Sequence, residues 1–443
     1  MMMTKAALTM SIVLCGAAVA AAAECQVPKQ MKKDQKLPCV RAAAILVPQP
    51  TLTLEQLTNG PDFDSADPVK SRFAYFTGAD DVACYFRPHY AFKQIKGQSL
   101  KFQCWHLDAN RAFFSTKGDP LTVGEVKVVL EQNKGGENRG SLFERTDTAN
   151  AHEIKADRIK VKYLRPAHPN HDTRFNEVFT EIAATRIMWA LGFPADHDYP
   201  VATASCVGCD ADPFADNQKD NRALLHDAPA VFKVATIERQ LSWDDIDPEN
   251  DETWSWQDAA TFYGNGQFTR QQKVEYDAYR LALGLFTYHN AIDIQNRLAC
   301  AQWKPGAEDP KICTQPMILV QDLGSTFGKN SFLGANPRGS FNDWKGQTVF
   351  SKPEACELRS TLDGPKQPLK EAQDLLITRL AALDRARVRA IFQVARFDIM
   401  DQKQVKRLRD SGAADVSAAA LDEWTDVFMS HIDEIRNARN CKP

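Results

Sequence analysis

The sequence predicts an α+β fold in two lobes, strand-rich first and helical second, stapled by disulfides. Three observations carry this. Short apolar and alternating runs, separated by Gly and Asp, fill residues 73–130 and recur at 158–164 and 230–237. After them the 3.6-residue periodicity of amphipathic helices takes over. Of eleven cysteines, ten lie beyond a secretory leader, an even set in a chain bound for an oxidising compartment. Strands and helices segregated along the chain, rather than alternating, belong to α+β architecture.

Residues 1–23 hold one lysine, an apolar run and an Ala-x-Ala ending, which reads as a signal peptide cleaved after Ala23, with Ala20 as the alternative. The run is too short and too rich in small residues to span a bilayer, and no later window could. Residues 24–72, with Pro28, Pro38, Pro48 and Pro50, read as an extended, disulfide-tied arm. Residues 73–238 form the strand-rich lobe, with strands at FAYF, VACYF, SLKFQCWHL, AFFST, VKVVL and Arg158–Leu164. Its one helix, 174–193, places Val178, Ile182, Ile187, Ala190 and Leu191 on a stripe and is stopped by Gly192 and Pro194. Tyr199–Ala204 and Ala230–Ile237 are further strands. Residues 239–443 form the helical lobe, with helices at Gln271–His289, Leu369–Ala382, Leu383–Phe397 and Leu421–Ala438. Within it the apolar run Met317–Val320 reads as a buried strand that ends at Asp322-Leu323-Gly324.

Sequence neighbours pair most simply as Cys25–Cys39, Cys84–Cys104, Cys206–Cys209, Cys300–Cys313 and Cys356–Cys441. Cys206-Val-Gly-Cys209 lacks both a second Cys/His pair for zinc and a thioredoxin-like context, so it reads as structural. The formal charge of −3 and the absence of a long basic run give no nucleic-acid partner.

Several chemistries find no support. In Gly324-Ser325-Thr326-Phe327-Gly328 the serine stands one place too early for a nucleophile elbow. His152-Glu153 lacks the second histidine of a zinc protease. Asp244, Asp245, Asp247 and Glu249 are either a carboxylate set for glycoside hydrolysis or a solvated loop. Trp243, Trp254 and Trp256 either line a groove or anchor a loop.

The remaining chemical residues fall in an order. A loop with Gly135, Gly136 and Gly140 precedes a strand with Lys160 and Lys162, then a helix with Glu177 and Glu181. A strand ends at Glu238. A long helix exits into His289, Asp293, Gln295 and Asn296, and the buried strand ends at Asp322. Over residues 135–328 this order resembles the protein-kinase-like fold, particularly its atypical branches, the HipA-type kinases and the secreted kinases of the Golgi casein-kinase type. The resemblance implies ATP and magnesium as cofactors and phosphoryl transfer to an acceptor, protein or small molecule, that the sequence does not identify. It implies Lys162 on the phosphates with Glu181 orienting it; Lys160 and Glu177 are the alternatives one repeat away. It implies Glu238 at the adenine-binding strand end, working through its backbone, and Asp322 on magnesium in a D-x-G turn. Asp293 would be the catalytic base, and Asn296 or Gln295 a further metal ligand. The sequence departs from kinases in two places. The Gly-Gly-x-x-x-Gly loop is not their glycine pattern, and Asp293 stands three residues before Asn296 instead of five. An active atypical kinase and a catalytically silent relative both fit.

Overall fold

Lysines alternating with apolar residues give the Asp157–Tyr163 strand two chemically different faces, because successive strand side chains point to opposite sides. In the computed structural model, the described residues are 25–28, 36–59, 157–164, 176–207, 230–239, 241, 243–246, 254–288, 296–307, 309–328, 338–359 and 362–443, plus strand backbones at 81–86, 100–106, 113–114, 120–121, 141–145 and 151–155. The expected leader, the glycine loop at 135–140, the strands at 73–76 and 126–130, and Asp293 with Gln295 lie outside them.

The lysine strand pairs antiparallel with Ala230–Arg239 on one side and Leu100–His106 on the other. With Asp81–Phe86 and His197–Val207 these close into a barrel. The sequence reads as antiparallel turns throughout, yet Asp81–Phe86 runs parallel to His197–Val207. A parallel pair needs a long crossover, and more than a hundred residues separate these strands, so no local turn signal could announce the pairing.

A second sheet lies where the sequence predicts mainly helix. Asn296–Trp303 and Lys311–Val320 form an antiparallel hairpin, flanked by Cys25–Val27 and Asp244–Asp245. Asn296, expected in a helix-exit loop, is therefore the first residue of a strand. The arm at 24–72 is not simply extended either: it carries short helices at Leu37–Ala42 and Leu54–Asn59. Pro38 stands in the first turn of the former, where a missing N–H costs nothing. Trp256–Gly264 is another helix, opened by a Ser255/Asp258 capping box.

The central helix, Glu177–Ala190, differs most from expectation. One apolar stripe is predicted, but every one of its residues is buried. It packs against the barrel strands, against Leu54–Asn59 and against Arg385–Val394. Behind it the C-terminal helices Lys370–Leu380, Arg385–Val394, Gln402–Asp410 and Val416–Asn437 complete a hydrophobic core that runs from Cys25 to Cys441. Strands thus dominate the earlier part and helices the C-terminal part, the α+β order that the sequence predicts.

Cys25–Cys39, Cys300–Cys313 and Cys356–Cys441 are paired, and Cys206 is disulfide-bonded as well. The side chains of Cys84, Cys104 and Cys209 lie outside the described residues. Such bonds are consistent with an oxidising compartment. Cys356–Cys441 spans 85 residues and ties the chain terminus to the helical core. Replacing both cysteines by serine is expected to lower unfolding free energy by about 2–4 kcal/mol, the usual effect of opening a long loop, read from a urea midpoint. No helix among the described residues is long and apolar enough to cross a membrane.

Candidate active site

The buried face of the lysine strand sets the site. In the barrel, Glu238 stands opposite Lys160 on one neighbouring strand and opposite Asp198 on the other. Lys162, two residues on, shares the face of Lys160 and lies opposite Thr236. The central helix crosses this face and lays Glu181 against it.

Lys162 forms an ion pair with Glu181, and both side chains are fully enclosed at 0% exposure. Its ammonium also meets Glu238 Oε2 at 3.0 Å. Lys160 bonds Glu238 instead of a helix glutamate. Of the alternatives left open by the sequence, then, Lys162 and Glu181 meet. Glu177 is turned elsewhere, pairing with Arg338. Glu238 contributes its side chain, clamping both lysines, where the resemblance assigns work only to its backbone.

Burial alone would push Lys162 down, but Glu181 and Glu238, with Asp322 and Asp198 behind them, hold its ammonium well above the ordinary lysine value. Burial raises Asp198 well above the usual carboxylate range, against the pull of Lys162. Burial and then the neighbouring Asp198 push Glu181 up in the same way. Carboxylates outnumber cations in this pocket, and the cluster as a whole favours added positive charge.

Asp322 ends the hairpin strand, partly exposed, with its Oδ1 accepting the Gly324 N–H at 3.0 Å. It acts electrostatically on Lys162, Glu181 and the buried phenol of Tyr288. Polar ties hold the turn to the central helix: the Thr180 hydroxyl donates to the Gly324 carbonyl at 2.7 Å. A Cβ on Gly324 would fall 2.5 Å from Glu177 Cγ, so the glycine is required by close approach of the helix. Thr236 donates to the Val178 carbonyl at 2.6 Å, tying the helix to the barrel as well. Asn176 donates to the carbonyls of Arg338 and Gly339, where the chain returns after the turn.

Asn296 lies opposite Val320 in the hairpin, so it opens one strand at the end where the other delivers Asp322. It is buried and its Nδ2 donates to the Trp254 carbonyl at 3.4 Å. The geometry thus gathers Lys162, Glu181 and Glu238 by contact, brings Asp322 within electrostatic reach of them, and puts Asn296 at the same hairpin end.

Other weighed residues turn out structural. Arg297 binds Asp245 at 2.8 Å and the buried Asp196 at 2.7 Å. Burial pushes Asp196 up to about 6, against the pull of Arg297. Trp254 and Trp256 are core residues that meet edge to face, with Trp256 also stacked on Tyr279, so they line no groove. Asp198, Thr180 and Arg338 were not singled out by sequence reasoning. Asp198 carries no local signal beyond being an acid in a strand; only its register opposite Glu238 gives it a role.

No protein-family model and no curated relative matches this chain. Among solved structures it is distantly similar to the Helicobacter pylori proinflammatory kinase CtkA, with a TM-score of 0.34 and 13% identity, covering 68% of this chain and 91% of that one. It is also similar to the Shewanella oneidensis MR-1 complex of the toxin–antitoxin system HipA, HipB and its operator DNA. There the TM-score is 0.29 and the identity 12%, covering 74% of this chain and 75% of that one.

Proposed function

We propose that this chain is an exported kinase-like phosphotransferase that uses ATP and magnesium to phosphorylate an acceptor hydroxyl. One observation carries the reading: the buried Lys162–Glu181 pair joins the lysine strand to the helix whose Thr180 holds the Asp322-Leu323-Gly324 turn. The side chains gathered here are an ammonium and hard oxygen donors, which fit a triphosphate and its cation. Magnesium-ATP, when bound, supplies the phosphoryl group and part of the charge neutralisation. Lys162 presents a fixed cation to the phosphates, kept protonated and oriented by Glu181. Asp322 and Asn296 offer oxygen ligands to the metal, and the strand end at Glu238 offers backbone groups to the base. Asp293 accepts the proton of the acceptor hydroxyl. The leader expected from the sequence, together with the disulfides, supports an exported location.

A second reading, a catalytically silent module of the same fold, is favoured by a specific observation. Lys162 is completely enclosed and held between two carboxylates, Glu181 and Glu238, which compete with phosphate for it.

Thermal melting with and without ATP and magnesium tests the proposal. Binding should raise the midpoint by mass action, worth about 2.7 kcal/mol at a hundred times Kd, and Asp322→Ala should lose the rise. A wild-type midpoint that does not move sinks both nucleotide readings. A rise without label transfer from radioactive ATP selects the silent module.

A further inference from the structure

Glu181, Asp198 and Glu238 bring one carboxylate oxygen each to within 4.8 Å of one another. The three come from the central helix and from two paired barrel strands, and all are buried. Lys162 serves Glu181 and Glu238, and Lys160 serves Glu238. Asp198, only 2% exposed, is served by neither. Among the described residues both of its carboxylate oxygens, and Oε1 of Glu181, accept no hydrogen bond. Arg186 acts on the Asp198 carboxylate through its charge alone: its N–H groups donate to the main-chain carbonyls of Thr58, Ile182 and Asp198.

Buried carboxylate oxygens without a donor or cation are costly. A single shared proton would satisfy at most two of these three oxygens, as donor and acceptor of one bond. It would still leave acids facing one another at close range, because with Asp322 four carboxylates share two ammoniums and the Arg186 guanidinium. A cation answers one oxygen of each of the three carboxylates at once. The spacing fits: metal–oxygen distances of about 2.1–2.4 Å put opposite ligands about 4.2–4.8 Å apart and adjacent ones nearer. Among the described residues no imidazole or thiolate joins the set, and the sulfur of Cys206 is in a disulfide, so a hard ion suits it better than zinc or copper.

We propose that Glu181, Asp198 and Glu238 hold a hard divalent cation, of the magnesium, manganese or calcium class, that is resident without nucleotide. The ion is distinct from the magnesium assigned to Asp322, and it does not depend on ATP binding. Its ligands join the central helix to two barrel strands, so it fixes the helix that orients Lys162.

The test is metal uptake in the absence of nucleotide. Full-length protein stripped with chelator is titrated with manganese, magnesium or calcium alone, and bound metal is counted by equilibrium dialysis with elemental analysis. Wild type should take up one equivalent and melt at a higher temperature with it. Asp198→Asn should weaken that uptake by more than about tenfold, since even outer-shell losses cost about 10- to 100-fold. In chelator the same variant should melt at or above wild type, because it removes a buried carboxylate whose oxygens accept no hydrogen bond among the described residues; mere damage to the fold would lower it. Glu181→Gln supplies a second ligand variant should Asp198→Asn not fold. Asp322→Ala should keep the equivalent while losing the response to ATP. Wild type that binds none of the three ions, or a folded Asp198→Asn that binds as wild type does, overturns the site. So does loss of the equivalent in Asp322→Ala with retention in Asp198→Asn, which would assign the ion to the turn.

Discussion

Replacing Lys162 with methionine is expected to destabilise the protein by about 3–5 kcal/mol, the usual cost of removing one partner of a buried ion pair. Methionine keeps the length and apolar stem of lysine, so packing changes little. What changes is charge. Glu181 loses its ammonium and Glu238 loses one of its two. At 0% exposure Glu181 cannot recover the loss from water. Adding Glu181→Gln to the methionine variant should restore much of the stability, because it removes the stranded charge. The double-mutant cycle should therefore show strong coupling, well above the few tenths of a kcal/mol seen between independent sites. Urea denaturation measures all four corners. A loss under about 1 kcal/mol for Lys162→Met, with additive behaviour in the cycle, would mean that the pair is not enclosed. The same methionine variant should fail to respond to ATP and magnesium, but a silent module would lose that response too. The cycle addresses the geometry and the label-transfer assay addresses the chemistry.

The parts of this site legible in the sequence are those with local signals. Alternation placed Lys160 and Lys162 on one face of one strand, and helical spacing put Glu177 and Glu181 a turn apart. The apolar run into Asp322-Leu323-Gly324 marked a buried strand and its turn. Which lysine meets which glutamate was not legible. It depends on a helix crossing a barrel, and the observed pairing sends Glu177 to Arg338 instead. Asp198 was missed for a related reason. Its significance comes from lying opposite Glu238, forty residues away, and cross-strand register over such a span leaves no trace in composition or spacing. The burial of the central helix was hidden as well: Glu177, Glu181 and Arg186 look like a solvated face, and each is enclosed by a specific partner. Buried charge with a partner and exposed charge without one have the same letters. At Asn296–Trp303 the helix-to-loop expectation failed because a strand buried on both faces has no alternation to betray it.

The Asp322 turn is held from two sides, and the second side sets the other large expected effect. Beyond the Thr180–Gly324 bond, the chain passes into Phe327, whose backbone adopts φ of 54°. That left-handed conformation disfavours a bulky residue, so something must offset it. The Phe327 N–H donates to the Phe286 carbonyl at 2.7 Å, and Ser340 N–H donates back to Phe327 at 2.9 Å. The ring enters an aromatic box, 5.1 Å from Trp344 and 5.1 Å from Phe397, edge-on to both. Phe327→Ala should therefore cost about 3–5 kcal/mol, as deletion of a fully buried phenylalanine does. Alanine keeps the unfavourable backbone angle and loses the contacts that compensate for it. The damage should spread towards the site: hydrogen exchange at residues 322–328 should quicken more than in the barrel. Phe327→Leu, which refills part of the box, should recover a substantial share of both. If Phe327→Ala costs less than about 1 kcal/mol, or if exchange at the turn is unchanged while global stability falls, the aromatic box is not what fixes Asp322. The polar ties would then hold the turn instead: the Thr180–Gly324 bond, the Thr287 hydroxyl donating to the Gly328 carbonyl at 2.8 Å, and the close contact of Gly324 with Glu177.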